Sequence, residues 1–117
     1  MRMIITGSRH YNDKETIIDA IEENLGDCYI EDVVIIEGGA RGADTIAHNH
    51  GLDMGYVVET YHANWDKYGK KAGGIRNQQM VDSGADICLA FPLEGSIGTY
   101  DCIRRAKKSG IHTVVVK

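Results

Sequence analysis

Three glycine-rich turns, each following an apolar run and leading into a helix-like segment, constrain this chain more than any other feature. They are Thr6-Gly7-Ser8-Arg9, Gly38-Gly39-Ala40-Arg41-Gly42-Ala43-Asp44 and Gly95-Ser96-Ile97-Gly98-Thr99. A strand that ends in glycines and passes into a helix is the repeating joint of a parallel α/β sheet, because parallel strands need a crossover. The turns then gather at the carboxyl ends of the strands, where bare backbone N–H groups and helix N-termini attract anions. Two of the turns carry an Arg beside the glycines. Together they predict a pocket for a phosphorylated small molecule, a nucleotide in particular.

The rest of the chain alternates to match. Met1–Thr6 reads as a strand, and Asp13 as the cap of a helix whose stripe is Ile17, Ile18, Ala20, Ile21 and Leu25. Asp32-Val33-Val34-Ile35-Ile36 is the apolar, β-branched run of a strand buried on both faces. A second helix is expected from Gly42 to Met54, with Gly55 as its stop, and a strand over Tyr56–Thr60. Tyr61 to Gly73 is one long polar and aromatic connection. A third helix over Ile75–Ser83, a strand over Asp86–Phe91, a fourth helix over Gly98–Ser109 and a last strand over His112–Val116 complete the count. Right-handed crossovers between five such strands imply one α/β domain over residues 1–117, a Rossmann-like three-layer sandwich. Its parallel sheet has the order 3-2-1-4-5 and helices on both faces, which puts the switch point between the first and fourth strands.

Composition limits the partners. At 117 residues the chain is long enough for one core without staples. The net charge of −4 argues against a protein that coats nucleic acid, which needs a dominant positive field. The three cysteines form no paired motif and read as free thiols of a cytoplasmic protein. No apolar run approaches membrane-spanning length, so no membrane partner is expected. His48 and His50, two apart on a helix, point to different faces, and no metal or cofactor is expected.

Each candidate residue has a functional and a plain reading. Gly7 would let a ligand approach the backbone, Ser8 would donate a hydrogen bond and Arg9 would pair with a phosphate; a tight turn with a solvated Arg is the plain alternative. Gly38, Gly39 and Gly42 would bring N–H groups to a phosphate or ribose, with Arg41 as a second anion ligand. Asp44 would accept from ribose hydroxyls or hold the loop in shape, and the residues leave both open. Trp65 and Tyr68 would stack on a base or pin the long connection to the core. Lys67, Lys70 and Lys71 read as solvated, with one of them able to reach a phosphate. Arg76 and Asn77 suit an anion near a helix N-terminus, and Gly95, Ser96, Gly98 and Thr99 make a phosphate cradle that also serves as a helix cap.

These runs, with Ala63-Asn64-Trp65-Asp66-Lys67-Tyr68-Gly69-Lys70-Lys71-Ala72-Gly73-Gly74-Ile75-Arg76-Asn77-Gln78-Gln79-Met80 between them, resemble the YspA-type, cpYpsA-related branch of the SLOG superfamily over nearly the whole chain. That superfamily also holds DprA and the Lonely Guy phosphoribohydrolases. The resemblance implies a Rossmann-like domain that binds nucleotides or nucleotide-derived ligands, and a homo-oligomer. The Lonely Guy enzymes carry P-G-G-x-G-T-x-x-E, with an Arg on the preceding helix. Arg76, Gly98 and Thr99 match that pattern, whereas the position of its catalytic Glu falls on Cys102, with Asp101 one residue early. A one-residue step turns a helix by about 100°, so Asp101 projects differently.

The first expectation is therefore a domain that senses or sequesters a nucleotide, an ADP-ribose-like molecule or a cyclic nucleotide signal, with no catalytic residue assigned. The alternative is cleavage of an N-glycosidic bond in a nucleoside monophosphate, for which Asp44, Glu94 and Asp101 are the candidate carboxylates. Single-stranded nucleic acid is a weaker alternative that the acidic charge balance disfavours.

Overall fold

β1 (Arg2–Gly7) lies at the centre of a five-stranded sheet, with β2 (Val34–Glu37) and β4 (Ile87–Phe91) on either side and β3 (Val57–Thr60) and β5 (His112–Val115) at the edges. Every pairing is parallel, and the order is 3-2-1-4-5. This computed structural model describes residues 1–117.

Strand alternation sorts the core into two layers. Met3, Ile5, Ile35, Leu89 and Phe91 face one way, against Ile17 and Ile21 of α1 (Lys14–Leu25) and Ala43 and Ala47 of α2 (Ala43–Met54). Ile4, Ile36 and Cys88 face the other way, against Met80 and Val81 of α4 (Ala72–Asp82) and Cys102 and Ala106 of α5 (Ile97–Lys108). Side chains on successive strand positions point to opposite faces, so both faces of β1 and β4 must be apolar, as their sequences are. Capping follows the sequence too. The Asp13 carboxylate accepts from the Thr16 N–H at 3.2 Å, and Gly55 ends α2 in the left-handed region at φ 82°. No helix is long and apolar enough to cross a membrane.

The long connection departs from expectation. It contains a one-turn helix, α3 (Trp65–Tyr68), and a 3₁₀ turn at Gly69–Lys71, and α4 begins at Ala72 rather than Ile75. Gly73 and Gly74 therefore lie inside a helix, where glycine costs about 1 kcal/mol relative to Ala. Their smallness serves packing instead. A methyl on Gly74 would stand 2.9 Å from the Arg105 guanidinium, and one on Gly73 would stand 3.4 Å from the Trp65 ring. Burial of Ala72 fixes the new start, a tertiary effect that local pattern does not carry.

Candidate functional site

A cavity of about 380 Å³ opens above the carboxyl ends of β1 and β4. Its wall includes Gly7, Ser8, Arg9, Asp44, Trp65, Arg76, Asn77, Gly95, Ser96, Gly98 and Thr99, and Glu94 at the rim. Thr6, His10, Ala40, Gly73, Met80 and Ile97 complete it. Its place is the switch point of the sheet, the usual ligand crevice of open α/β folds.

The N-terminus of α5 is the donor end of this cavity. The residue placed to cap it, Ser96, makes no side-chain cap; its hydroxyl accepts from the Leu93 N–H at 2.9 Å instead. Ile97 donates to the Gly95 carbonyl and Tyr100 to the Ser96 carbonyl, which leaves the N–H groups of Gly98 and Thr99 without a protein acceptor. A methyl added to Gly98 would meet nothing within 4 Å, so the approach to these amides is open. Unpaired amides and the helix dipole together favour an anion here.

Arg76 stands across from them. Its Nε donates to Asn77 Oδ1 at 2.9 Å and its Nη1 to the Gly38 carbonyl at 2.7 Å. Nη2 has no protein partner. Asn77, buried, donates to the Gly98 carbonyl at 3.1 Å and to Asp101 Oδ2 at 3.0 Å. Asn77 is thus a fastener that ties Arg76, α4 and the first turn of α5 together, and its amide is fully engaged.

Asp44 takes the loop-shaping role of its two sequence readings with one oxygen and leaves the other open. Its Oδ2 accepts from the N–H groups of Gly38 and Ala40, each at 3.2 Å, and so shapes the second glycine turn. Its Oδ1 accepts nothing from the protein and the residue lines the cavity. Burial pushes this carboxyl up to about 7, against the opposing pull of the Ala40 N–H and the Arg76 charge. It is a group whose charge changes near neutral pH at the wall of a cavity.

Four of the expected ligand residues lie elsewhere. Gly38, Gly39, Arg41 and Gly42 do not line the cavity. The glycines serve packing between loops. A methyl on Gly38 would press on the Arg76 guanidinium, and one on Gly39, at φ 75°, would stand 2.7 Å from the His62 ring. Gly42, at φ 74°, brings the second turn against the backbone of Ser8 and Arg9. Gly7, though in the cavity wall, must stay small: a methyl on it would stand 2.5 Å from Ala43 Cβ and 2.9 Å from the Phe91 carbonyl. Arg41 is exposed. The Ser8 hydroxyl accepts from the His10 N–H at 3.1 Å and shapes the first turn. Trp65 is 59% exposed, so it is not pinned to the core.

Asp101 belongs to a larger, shallower groove of about 760 Å³ along α4 and α5. Burial raises its carboxyl, but hydrogen bonds from Arg105 at 2.8 Å and Asn77, with the charges of Arg105 and Arg104, hold it below the usual carboxylate range. Arg105 also donates to Gln78 at 3.0 Å. Asn77, Gln78, Asp101 and Arg105 are bonded to one another here and form a brace between the two helices. Cys102, at the position of the Lonely Guy glutamate, is fully buried in the second core layer. A hydrogen bond from Cys88 lowers its thiol and drives that of Cys88 up.

Sequence reasoning missed Glu37, the last residue of β2. It is buried, yet accepts from the Gly39 N–H at 2.6 Å, from the Thr60 hydroxyl, and pairs with His48 at 3.1 Å. A carboxylate closing an apolar strand just before a glycine turn is the signal that marks it. No three His, Cys, Asp or Glu side chains gather into a metal-holding group.

The sequence profile described as "YspA, cpYpsA-related SLOG family" matches residues 1–68, from β1 through α3. The chain is also similar to "Gene 61 protein" of Mycobacterium phage D29, at 46% identity over 97% of this chain and 94% of that protein. No solved structure matches it. A parallel 3-2-1-4-5 sheet with glycine turns at its switch point, and a profile match over more than half its length, agree on one assignment: the chain belongs to the YspA, cpYpsA-related SLOG family.

Proposed function

We propose that the cavity above β1 and β4 binds the phosphate of a nucleotide or nucleotide-derived molecule, and that the protein senses or sequesters this ligand rather than consuming it. The observation that carries this reading is the uncapped N-terminus of α5, whose Gly98 and Thr99 amides face the same cavity as the unpaired Nη2 of Arg76. Membership of the family suggests a nucleotide-related ligand. Trp65, exposed at the mouth, is the surface on which a base stacks. Asp44 Oδ1 is the acceptor for a sugar hydroxyl. With Cys102, at the position of the Lonely Guy glutamate, sealed in the core and Asp101, one residue earlier, bonded to Arg105, neither is free for chemistry.

One observation favours turnover as a second reading. Asp44 combines an unpartnered oxygen with a carboxyl raised to about 7, which suits proton transfer at neutral pH. In that reading Asp44 stabilises the developing positive charge as an N-glycosidic bond opens.

Mass spectrometry of small molecules released from the denatured protein tests the first reading, which expects a co-purified nucleotide that Arg76→Ala does not retain. Free base released from a nucleoside monophosphate, and abolished in Asp44→Asn, would instead establish the second. Retention unchanged in Arg76→Ala would sink the assignment of this cavity.

A further inference from the structure

A separate cavity of about 250 Å³ shares a single wall residue, Arg76, with the first. Its polar lining is His62, Asn64, Lys67, Tyr68, Arg76 and Gln79, and it contains no Asp or Glu. That is unusual in a chain with 17 acidic residues against 13 Lys and Arg. The Lys67 ammonium lies 5.1 Å from the Tyr68 ring centroid and pairs with no carboxylate. Asn64 Oδ1 is engaged by the Lys67 N–H at 3.1 Å, which leaves its amide nitrogen as a donor. Asp66, the acidic residue of α3, is outside the lining. The wall therefore offers several donors, and Arg76 and Lys67 carry fixed positive charge.

We propose that this cavity is a second anion site that takes a phosphate group. Donors without neighbouring carboxylates select an anion, and the unpaired Lys67 ammonium, with the positive charge of Arg76 in the same wall, suits phosphate. Pockets for whole small ligands run from about 300 Å³ upward, so a site of this volume takes one group rather than a complete molecule. The phosphate arrives either free or as the second phosphate of a ligand whose first sits at α5. The proposal stands independently of the nucleotide reading of the main cavity.

Titration of the ¹⁵N-labelled full chain with inorganic phosphate, followed at backbone amides, tests it. Amides of residues 62–68 are expected to shift, as a set distinct from those of 97–99. Lys67 is exposed and makes no side-chain hydrogen bond, so Lys67→Ala leaves the fold intact. That variant is expected to weaken the 62–68 response about tenfold and leave the 97–99 response unchanged; Lys67→Glu abolishes the former. A silent 62–68 segment, or an equal response in wild type and Lys67→Ala, overturns the proposal. Response at 62–68 with silence at 97–99 supports this site while removing the main-cavity reading. Comparing a nucleoside 5′-monophosphate with a 3′,5′-bisphosphate separates the sources. Loss of bisphosphate affinity alone in Lys67→Ala assigns the site to the ligand's second phosphate, and no loss for either nucleotide, with the inorganic response weakened, assigns it to free phosphate.

Discussion

Two arginines at opposite ends of the central layer show how this fold divides its charges. Arg2 opens β1, and all three of its guanidinium nitrogens are engaged: Nε to the Gly84 carbonyl at 2.6 Å, Nη1 and Nη2 to the Glu59 carboxylate at 3.1 and 2.9 Å, and Nη2 also to Ser83. Its own backbone N–H donates to Asp86 at 2.8 Å. Arg76, beside the carboxyl ends of the strands, uses two nitrogens to fix its position and leaves the third open. The amino end of the sheet is a closed structural clasp. The carboxyl end is positioned just as firmly but left incomplete, with no acceptor for the third nitrogen of Arg76 or for the Gly98 and Thr99 amides. Donors are saturated at one end and left open at the other, the contrast on which the proposed anion site depends.

Breaking Arg76 tests that division most severely. Arg76→Ala is expected to lower phosphate affinity about 100-fold, near the upper range for a charge-assisted contact. Arg76→Lys recovers only part, because the ammonium cannot hold Gly38 and Asn77 while reaching the ligand. Isothermal titration with a nucleoside monophosphate reads both.

Arg2→Ala is the counterpart at the closed end. Its Glu59 pair is about one-third exposed, so the loss is about 1–2 kcal/mol of stability in urea unfolding, with phosphate affinity unchanged. A large affinity change in Arg2→Ala would erase the contrast between the two ends.

A pH series sharpens it further. The Asp44 carboxyl is raised to about 7 in the fold, above its unfolded value near 3.8. Between those values the folded state binds the extra proton, so stability declines as pH rises from about 4 to about 7, and Asp44→Asn flattens that decline. Ionised Asp44 also repels a phosphate. Affinity is therefore expected to fall several-fold as pH rises through about 7 in the wild type and to change less in Asp44→Asn.

Gly98→Ala is the mildest test. The added methyl meets no protein atom within 4 Å and improves helix propensity, so stability holds or rises by a few tenths of a kcal/mol. Phosphate affinity is expected to drop a few-fold, because the methyl stands in the approach to the open amides. Unchanged affinity would place the anion elsewhere.

Much of this was legible in advance where the physics is local. Continuous apolar runs at β2 and β4, β-branched in β2, read as strands buried on both faces, and Gly7, Gly38 and Gly95 mark turns after strands, so sheet order and switch point follow from crossover handedness. Gly98, Thr99 and Arg76 are singled out by residue type and order alone, and all three line the cavity. What glycine does at a given place was not legible. Gly38, Gly39 and Gly42 look the same in sequence whether they admit a ligand or a neighbouring loop, and only the approach of Arg76, His62 and Arg9 decides for the loop. Asp44 was ambiguous for a like reason, since its two oxygens do different things.

By itself, then, the sequence determined the class of fold, its strand order and the glycine turns at the carboxyl ends of the strands, because hydrophobic period and backbone freedom act over a few residues. The tertiary structure decided which donors stay free. It turned Ser96 away from the cap it was placed to make, buried Cys102 in the core, bound Asp101 to Arg105 and left one nitrogen of Arg76 unpaired. A hydrogen-bonding group is available to a ligand only when nothing else in the fold reaches it. That depends on neighbours dozens of residues away in the chain, which no local pattern records.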